Sequence, residues 1–267
     1  MASDVATTTA GAVPARSAWR GRAPVVVAIA VAWTLAIVAE ATGNGTKLHH
    51  DALIHGTLPK WEALVLFLVA WQAMIAAMML PSSLPMVRLF SKTSASQDHR
   101  GRVMASFLGG YALVWTAFGA IAFVGDLFLH RFADHNAYLS AHRNYIAGGV
   151  ILLAGVFQFS SLKEKCLQEC RHPGVFLMRR YRRGEAAALK IGAGHGVFCL
   201  GCCWALMLLM FAAGVANLWW MALLTAVMVY EKVGRHGDTL SPIVGVGLLA
   251  LGSLVVLGVH VPAVAFG

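Results

Sequence analysis

The chain has 267 residues, of which 58% are hydrophobic and 12% charged, and its formal net charge is +9. This composition excludes an ordinary soluble globular protein. No basic stripe interleaved with aromatic residues is present, so nucleic acid is excluded as a partner. We predict a disordered cytoplasmic head over residues 1–22, followed by a single transmembrane helical domain over residues 23–267.

Seven stretches are apolar and long enough to cross a hydrocarbon core of about 30 Å, which takes roughly 20 helical residues. The fold class predicted is therefore all-α, a polytopic transmembrane helical bundle. The first stretch follows positively charged residues, as the apolar core of a signal peptide does. No small-residue cleavage site ends it, however, which favours a retained span. The predicted spans are 23–40, 62–80, 103–125, 145–162, 191–213, 216–233 and 243–262.

Basic residues give the orientation, because Lys and Arg are retained on the cytoplasmic side of a membrane. The head and alternate connections between the predicted spans carry 17 of the 21 basic residues. This asymmetry predicts a cytoplasmic N-terminus, an outer C-terminus and a multi-pass protein of the bacterial inner membrane, with the lipid bilayer as its surroundings. Most histidines fall on the predicted outer side, where they either capture metal ions or are solvated loop residues. These outward histidines are His49, His50, His55, His130, His135, His142 and His260.

All five cysteines lie in one short part of the chain, at the cytoplasmic end of the predicted fourth and fifth spans. The reducing compartment there favours free thiols or metal thiolates over structural disulfides. The alternative is that intramembrane cysteines are small packing residues. The five are Cys166, Cys170, Cys199, Cys202 and Cys203.

The spacing of these cysteines indicates a metal site. Cys166 and Cys170 are four residues apart and would share a helical face if the fourth helix continues outward. In the fifth span, His195, Cys199 and the Cys202-Cys203 pair fall within an arc of about 100°. His195 and Cys202 would still lie about 10 Å apart along the axis, so one straight helix cannot supply four tetrahedral ligands.

A shared site therefore needs two ligands from each segment. We favour Cys166, Cys170, Cys199 and one of Cys202 or Cys203, with His195 as an alternate ligand or neighbour. Thiolate-rich sites select soft or borderline ions, so Cu(I) is favoured and Zn(II) is the other candidate.

Methionines of the second span point to the same leaflet. Met78 and Met79 lie in the segment MIAAMMLPSSLPM, and thioether sulfur is a soft ligand suited to Cu(I). Pro81 leaves the Ala77 carbonyl without its helical donor, which predicts a kink beside the methionines. The alternative is that methionine here fills irregular core space.

Glu231 lies at the inner end of the sixth span, next to Lys232. A carboxylate at this depth is costly unless it is paired or wetted. It is predicted to be a counter-charge, a proton acceptor or a hydrogen-bond partner of His195, and an interfacial salt bridge is the alternative.

At these motifs the chain resembles a bacterial domain-of-unknown-function family described as predicted metal-binding integral membrane proteins. The resemblance covers about Trp71 to Lys232. It rests on MIAAMMLPSSLPM, GYALVWTAFG, AGVFQFSSLKEKCLQECRHP and the long segment that begins GAGHGVFCLGCCWALM. The resemblance implies metal binding through Cys166, Cys170, His195, Cys199, Cys202 and Cys203.

Three functions are compatible with these patterns. The leading hypothesis is a copper-handling membrane protein that transports or inserts Cu(I), or delivers it to a membrane cuproenzyme or receives it from a metallochaperone. The second is a thiol-disulfide redox protein that uses Cys199 and Cys202. The third is an assembly subunit of a membrane complex whose cysteines only pack. No phosphate-binding loop is visible and a non-enzymatic role is favoured, with a homo-oligomer compatible with any of the three.

Overall fold

The structure is a computed structural model that describes residues 23–43, 59–138, 142–213 and 217–259. The predicted head, residues 1–22, lies outside these ranges. The described residues form nine helices and no strand, which confirms the all-α class. The helices are α1 (Ala23–Ala41), α2 (Lys60–Thr93), α3 (Arg100–His135), α4 (Arg143–Phe157), α5 (Ser161–Arg171), α6 (Pro173–Arg180), α7 (Glu185–Ala213), α8 (Leu218–Val233) and α9 (Gly237–Val256).

Each predicted span overlaps a helix, but not every helix is long enough to cross a membrane alone. Within the described ranges, α1, α2, α3, α7 and α9 are long and apolar enough to do so. Helices α4 and α5 pass the same test only together, and they meet at a bend of 64°. Helix α8 has 16 residues, fewer than the roughly 20 that a full crossing takes. Five or six spans are therefore supported, and the seventh crossing remains a prediction.

The helices pack with the alternating directions that repeated crossings of one layer require. Phe67 of α2 meets Phe123 of α3, and Phe90 meets Phe107, so these two helices run antiparallel. Helices α4 and α9 are also antiparallel, because Asn144 at the start of α4 donates to the Val255 carbonyl while Gly155 near its end packs against Leu249. Helices α3 and α7 run parallel.

Glycines bring α3 and α7 into close contact. A Cβ added at Gly192 would overlap the Phe107 carbonyl, and one at Gly110 would overlap the Leu189 carbonyl. Small residues at a helix crossing let two backbones approach closely in a membrane. Gly192 is about two turns before Cys199, and this crossing sets the distance between α3 and the thiols of α7.

Helix α2 continues through Pro81 and Pro85 to Thr93, well beyond the predicted end of the second span at residue 80. The Ala77 carbonyl, which Pro81 deprives of its helical donor, accepts a hydrogen bond from the Trp33 indole of α1 at 3.0 Å. Ser82 then donates to the Met79 carbonyl at 2.8 Å. Side chains thus satisfy backbone groups near the prolines, which lets the helix extend past them.

The predicted fourth span, 145–162, ends earlier than expected. Helix α4 stops at Phe157, and α5 starts a new direction at Ser161. Ser160 is the cause, because its hydroxyl accepts from the Lys163 amide at 3.1 Å and so caps the first turn of α5. Cys166 and Cys170 therefore lie on a separate helix that is bent toward α7, and the predicted fourth span is wrong in running unbroken to residue 162.

The outer surface of the bundle is apolar. Val69 of α2 is 65% exposed, Ile121 of α3 is 70% exposed and Ile243 of α9 is 67% exposed. Exposed apolar surface over several helices marks contact with a membrane or with another protein.

Candidate metal centre

The three thiols of α7 lie in the core of the bundle. Cys199, Cys202 and Cys203 are each at most 1% exposed. Cys199 Sγ is 3.2 Å from the Tyr111 hydroxyl of α3 and 3.1 Å from the Lys232 ammonium of α8. Helices α3, α7 and α8 thus meet at this single sulfur.

Helix α2 brings a fourth sulfur to the same place. The Cys203 thiol lies 3.6 Å from the Met79 thioether, and it also donates to the Cys199 carbonyl at 2.8 Å. A thiol and a thioether in contact are two soft donors. Met78, the other methionine predicted as a ligand, is fully buried in the same core.

Helix α5 places its two cysteines against α7, as the sequence predicted. The Cys170 thiol interacts with that of Cys202. A Cβ added at Gly201 would come within 2.5 Å of Cys166 Sγ, so this glycine makes room for the thiol. Cys166 is buried and Cys170 is partly exposed. The five thiols therefore form one cluster, and Cys170 connects it to the surface.

His195 lies next to the thiols but within a different set of contacts. It is 4% exposed, and its ring centroid is 5.7 Å from that of Tyr111 and 6.5 Å from that of Phe107. Its Nε2 has no hydrogen-bond partner in the part of the chain that the structure describes. His195 is therefore an aromatic neighbour of the cluster with one free nitrogen.

Within the described ranges the predicted His and Cys ligands do not form a ready-made site of three. Among the described residues, no three His, Cys, Asp or Glu side chains are grouped closely enough to hold a metal ion. The predicted set of Cys166, Cys170, Cys199 and one of Cys202 or Cys203 would need its thiols to move together. The donors already in contact are the Cys203 thiol and the Met79 thioether.

Two buried lysines accompany the thiols. Lys232 Nζ donates to Cys199 Sγ and, at 3.1 Å, to the Ser82 hydroxyl of α2. Lys163 of α5 forms an ion pair with Glu231 at 2.8 Å, and both side chains are 2% exposed. Glu231 is thus the counter-charge of Lys163, as one of its predicted roles allowed, and it is not the partner of His195.

The ion pair has polar neighbours on two further elements. Ser241 of α9 donates to Glu231 at 2.9 Å, and the Gln158 side chain accepts from Lys163. These contacts fix the C-terminal end of α8 against α5 and α9. They leave the adjacent residue, Lys232, on the side that faces the thiols.

Sequence analysis missed the basic and aromatic partners of the cluster. The sequence indicates Lys163 only as a cytoplasmic charge and Lys232 only as a charge next to Glu231, although a lysine at the end of an apolar helix is a signal for a buried partner. Tyr111 stands in the GYALVW segment, and nothing in that segment says that its hydroxyl reaches a cysteine. Such a contact depends on the α3–α7 crossing.

The histidines on the predicted outer side bond locally where they are described. The Nδ1 atoms of His130, His135 and His142 each lie within 3.0 Å of the carbonyl four residues earlier. His142 also stacks between Tyr138 and Tyr145, with centroids 4.6 Å and 5.3 Å away. His49, His50, His55 and His260 lie outside the described residues.

Comparison with known proteins gives this cluster a context. Residues 68–255 match the PpoB2 family, which is described as a copper chaperone. The chain belongs to the PpoB2 family. The match includes α3 to α9 and all but the start of α2, so all five cysteines, Met79 and both buried lysines lie within the part that PpoB2 proteins share. No curated protein and no solved structure matches the chain.

Membership of the PpoB2 family supports copper as the metal and gives no support to zinc. It agrees with the metal-binding part of the resemblance found in the sequence. It names neither ligands nor a partner protein.

Proposed function

We propose that this PpoB2-family chain is a membrane copper chaperone that binds Cu(I) as cargo at Cys199, Cys203 and Met79. The observation that carries this proposal is the contact between the Cys203 thiol of α7 and the Met79 thioether of α2. The chain that makes this contact belongs to a family described as a copper chaperone. Thiolate and thioether donors suit Cu(I) better than harder ions. Burial of these donors excludes water from the bound ion.

The remaining thiols extend from Cys203 and Met79 toward the surface. Cys202 interacts with Cys203 on α7 and with Cys170 on α5. Cys170 is the only one of the five thiols with intermediate exposure. We infer that Cu(I) enters or leaves by ligand exchange along this row, with Cys170 at its outer end. A membrane cuproenzyme or a metallochaperone is the exchange partner that this route would serve.

The membrane topology proposed is the seven-span arrangement, with the basic connections in the cytoplasm. It is supported by the alternating helix directions and by the apolar surface of the bundle. The thiol cluster would then lie near the cytoplasmic face of a bacterial inner membrane, where thiols stay reduced. Helix α8 would cross at a locally thin or partly wetted place.

The test is Cu(I) binding by the full chain, purified in detergent under reducing, oxygen-free conditions with a competing Cu(I) chelator. We expect the wild type to retain Cu(I), Cys203→Ser to lose it, and Met79→Leu to bind at least about tenfold more weakly because one soft donor is gone. Met210→Leu, about two turns further along α7, is the matched control for a methionine in the core and should bind like the wild type. Equal retention by the wild type and Cys203→Ser would refute the proposal.

The transfer route has a separate readout. Cys170→Ser should leave the amount of Cu(I) bound at equilibrium almost unchanged, because Cys199, Cys203 and Met79 remain. It should slow the removal of Cu(I) by a chelator too large to enter the bundle. A Cys170→Ser variant that unloads as fast as the wild type would exclude Cys170 from the route.

A further inference from the structure

Lys232 is the cation nearest to the proposed copper ligands. It is 6% exposed, at the last turn of α8, and its ammonium is held by the Ser82 hydroxyl and the Cys199 thiol. Ser82 is itself bonded to the Met79 carbonyl. The ammonium is therefore fixed between the helices that carry Met79 and Cys199.

No carboxylate neutralises Lys232 in the described part of the chain. The neighbouring carboxylate, Glu231, is held by Lys163 and Ser241. The polar groups that contact the Lys232 ammonium are the Ser82 hydroxyl and the Cys199 thiol, and the Tyr111 hydroxyl contacts the same thiol. An uncompensated charge is costly inside a protein in a membrane. The group closest to Lys232 that can carry the balancing negative charge is Cys199, which becomes a thiolate when it ligates a metal ion.

Charge counting then distinguishes monovalent from divalent ions. A cysteine that ligates a metal ion does so as a thiolate. With Cys199 and Cys203 as thiolates and Met79 as a neutral donor, a bound Cu(I) leaves one net negative charge, which Lys232 cancels. A divalent ion on the same ligands is already neutral, and the charge of Lys232 would then be uncompensated.

We propose that Lys232 is a specificity-determining residue that makes this site select a monovalent soft ion over a divalent one. The inference rests on the proposed function, because it takes Cys199, Cys203 and Met79 as the ligands. It goes beyond that function in assigning the choice between Cu(I) and Zn(II) to a residue that does not touch the ion. Cu(I) and Zn(II) both bind sulfur, so the site distinguishes them by their charge, whose effect is strong in a low dielectric.

The experiment is a competition between Cu(I) and Zn(II) for the full purified chain in detergent, without oxygen, with bound metals counted by mass spectrometry. Lys232→Met removes the charge and keeps an apolar stem, and Lys232→Arg keeps the charge. Lys165→Met, at an exposed position of α5, is the matched control. The ratio of bound Cu(I) to bound Zn(II) is the readout, and it does not depend on the fraction of protein that is folded.

We expect the Cu(I)-to-Zn(II) ratio of Lys232→Met to fall at least about tenfold below that of the wild type, since one charge is removed beside the site. Lys232→Arg and Lys165→Met should keep the wild-type ratio. An unchanged ratio in Lys232→Met, or an equal fall in Lys232→Arg, would overturn the inference and leave copper binding intact. A wild type that binds no Cu(I) would instead overturn the proposed function.

Discussion

Replacing Glu231 by glutamine tests whether the C-terminal end of α8 is held by a buried ion pair. The change keeps the size of the side chain and leaves the Lys163 ammonium, which is 2% exposed, without its counter-charge. Removing one partner of a buried pair costs about 3–5 kcal/mol. Glutamine still offers a carbonyl acceptor to Lys163, so we expect the lower end, about 3 kcal/mol.

The loss of stability should appear as a lower melting temperature in detergent, measured by far-ultraviolet circular dichroism. For a chain of this size, about 3 kcal/mol corresponds to a fall of about 6–12 °C. Glu164→Gln is the matched control, because Glu164 is an exposed carboxylate on α5. It should melt within about 2 °C of the wild type.

A double-mutant cycle separates the ion pair from other effects of the substitution. Lys163→Met together with Glu231→Gln removes both charges of the pair, so the double variant should be no less stable than Glu231→Gln alone. Simple addition of the two single losses would refute the reasoning. So would a Glu231→Gln variant that melts like the control.

Two further predictions concern the contacts that place the thiols. Gly192→Ala puts a methyl group against the backbone of α3 and should destabilise the bundle by about 1–3 kcal/mol. Gly149 has open space around it, so Gly149→Ala should not destabilise the bundle. Melting curves of the two variants check this, and equal curves would contradict it. Ser160→Ala removes the cap of α5 and should cost about 1 kcal/mol. Faster alkylation of Cys170 in this variant, compared with Ser161→Ala as the control, is the expected result, and equal rates would contradict it.

Much of the architecture follows from hydropathy, because a lipid environment requires long apolar helices with internally satisfied backbones. Each predicted span overlaps a helix, and the predicted start lies at most six residues from the start of that helix. The ends were less predictable where side chains intervene. Trp33 supports α2 beyond Pro81, and Ser160 ends the fourth span by capping a new helix. Hydropathy does not report either of these contacts.

The sulfur ligands of the candidate site could be predicted from the sequence, but the charged residues around them could not. Clustering and helical spacing pointed to the five cysteines, and the structure places the thiols of α5 against those of α7. The roles of Lys163 and Lys232 depend on which residue of α8 faces which neighbour, since Glu231 and Lys232 are adjacent and point to different partners. That choice is set by tertiary packing.

X-ray absorption at the copper edge of the Cu(I)-loaded chain is the most direct test of the central claim, that buried sulfurs of α2 and α7 hold the cargo together. The account predicts a sulfur-only ligand shell in the wild type, one sulfur fewer in Met79→Leu, and an unchanged shell in Met210→Leu. A shell with nitrogen or oxygen ligands, or one that is the same with and without the Met79 thioether, would contradict it.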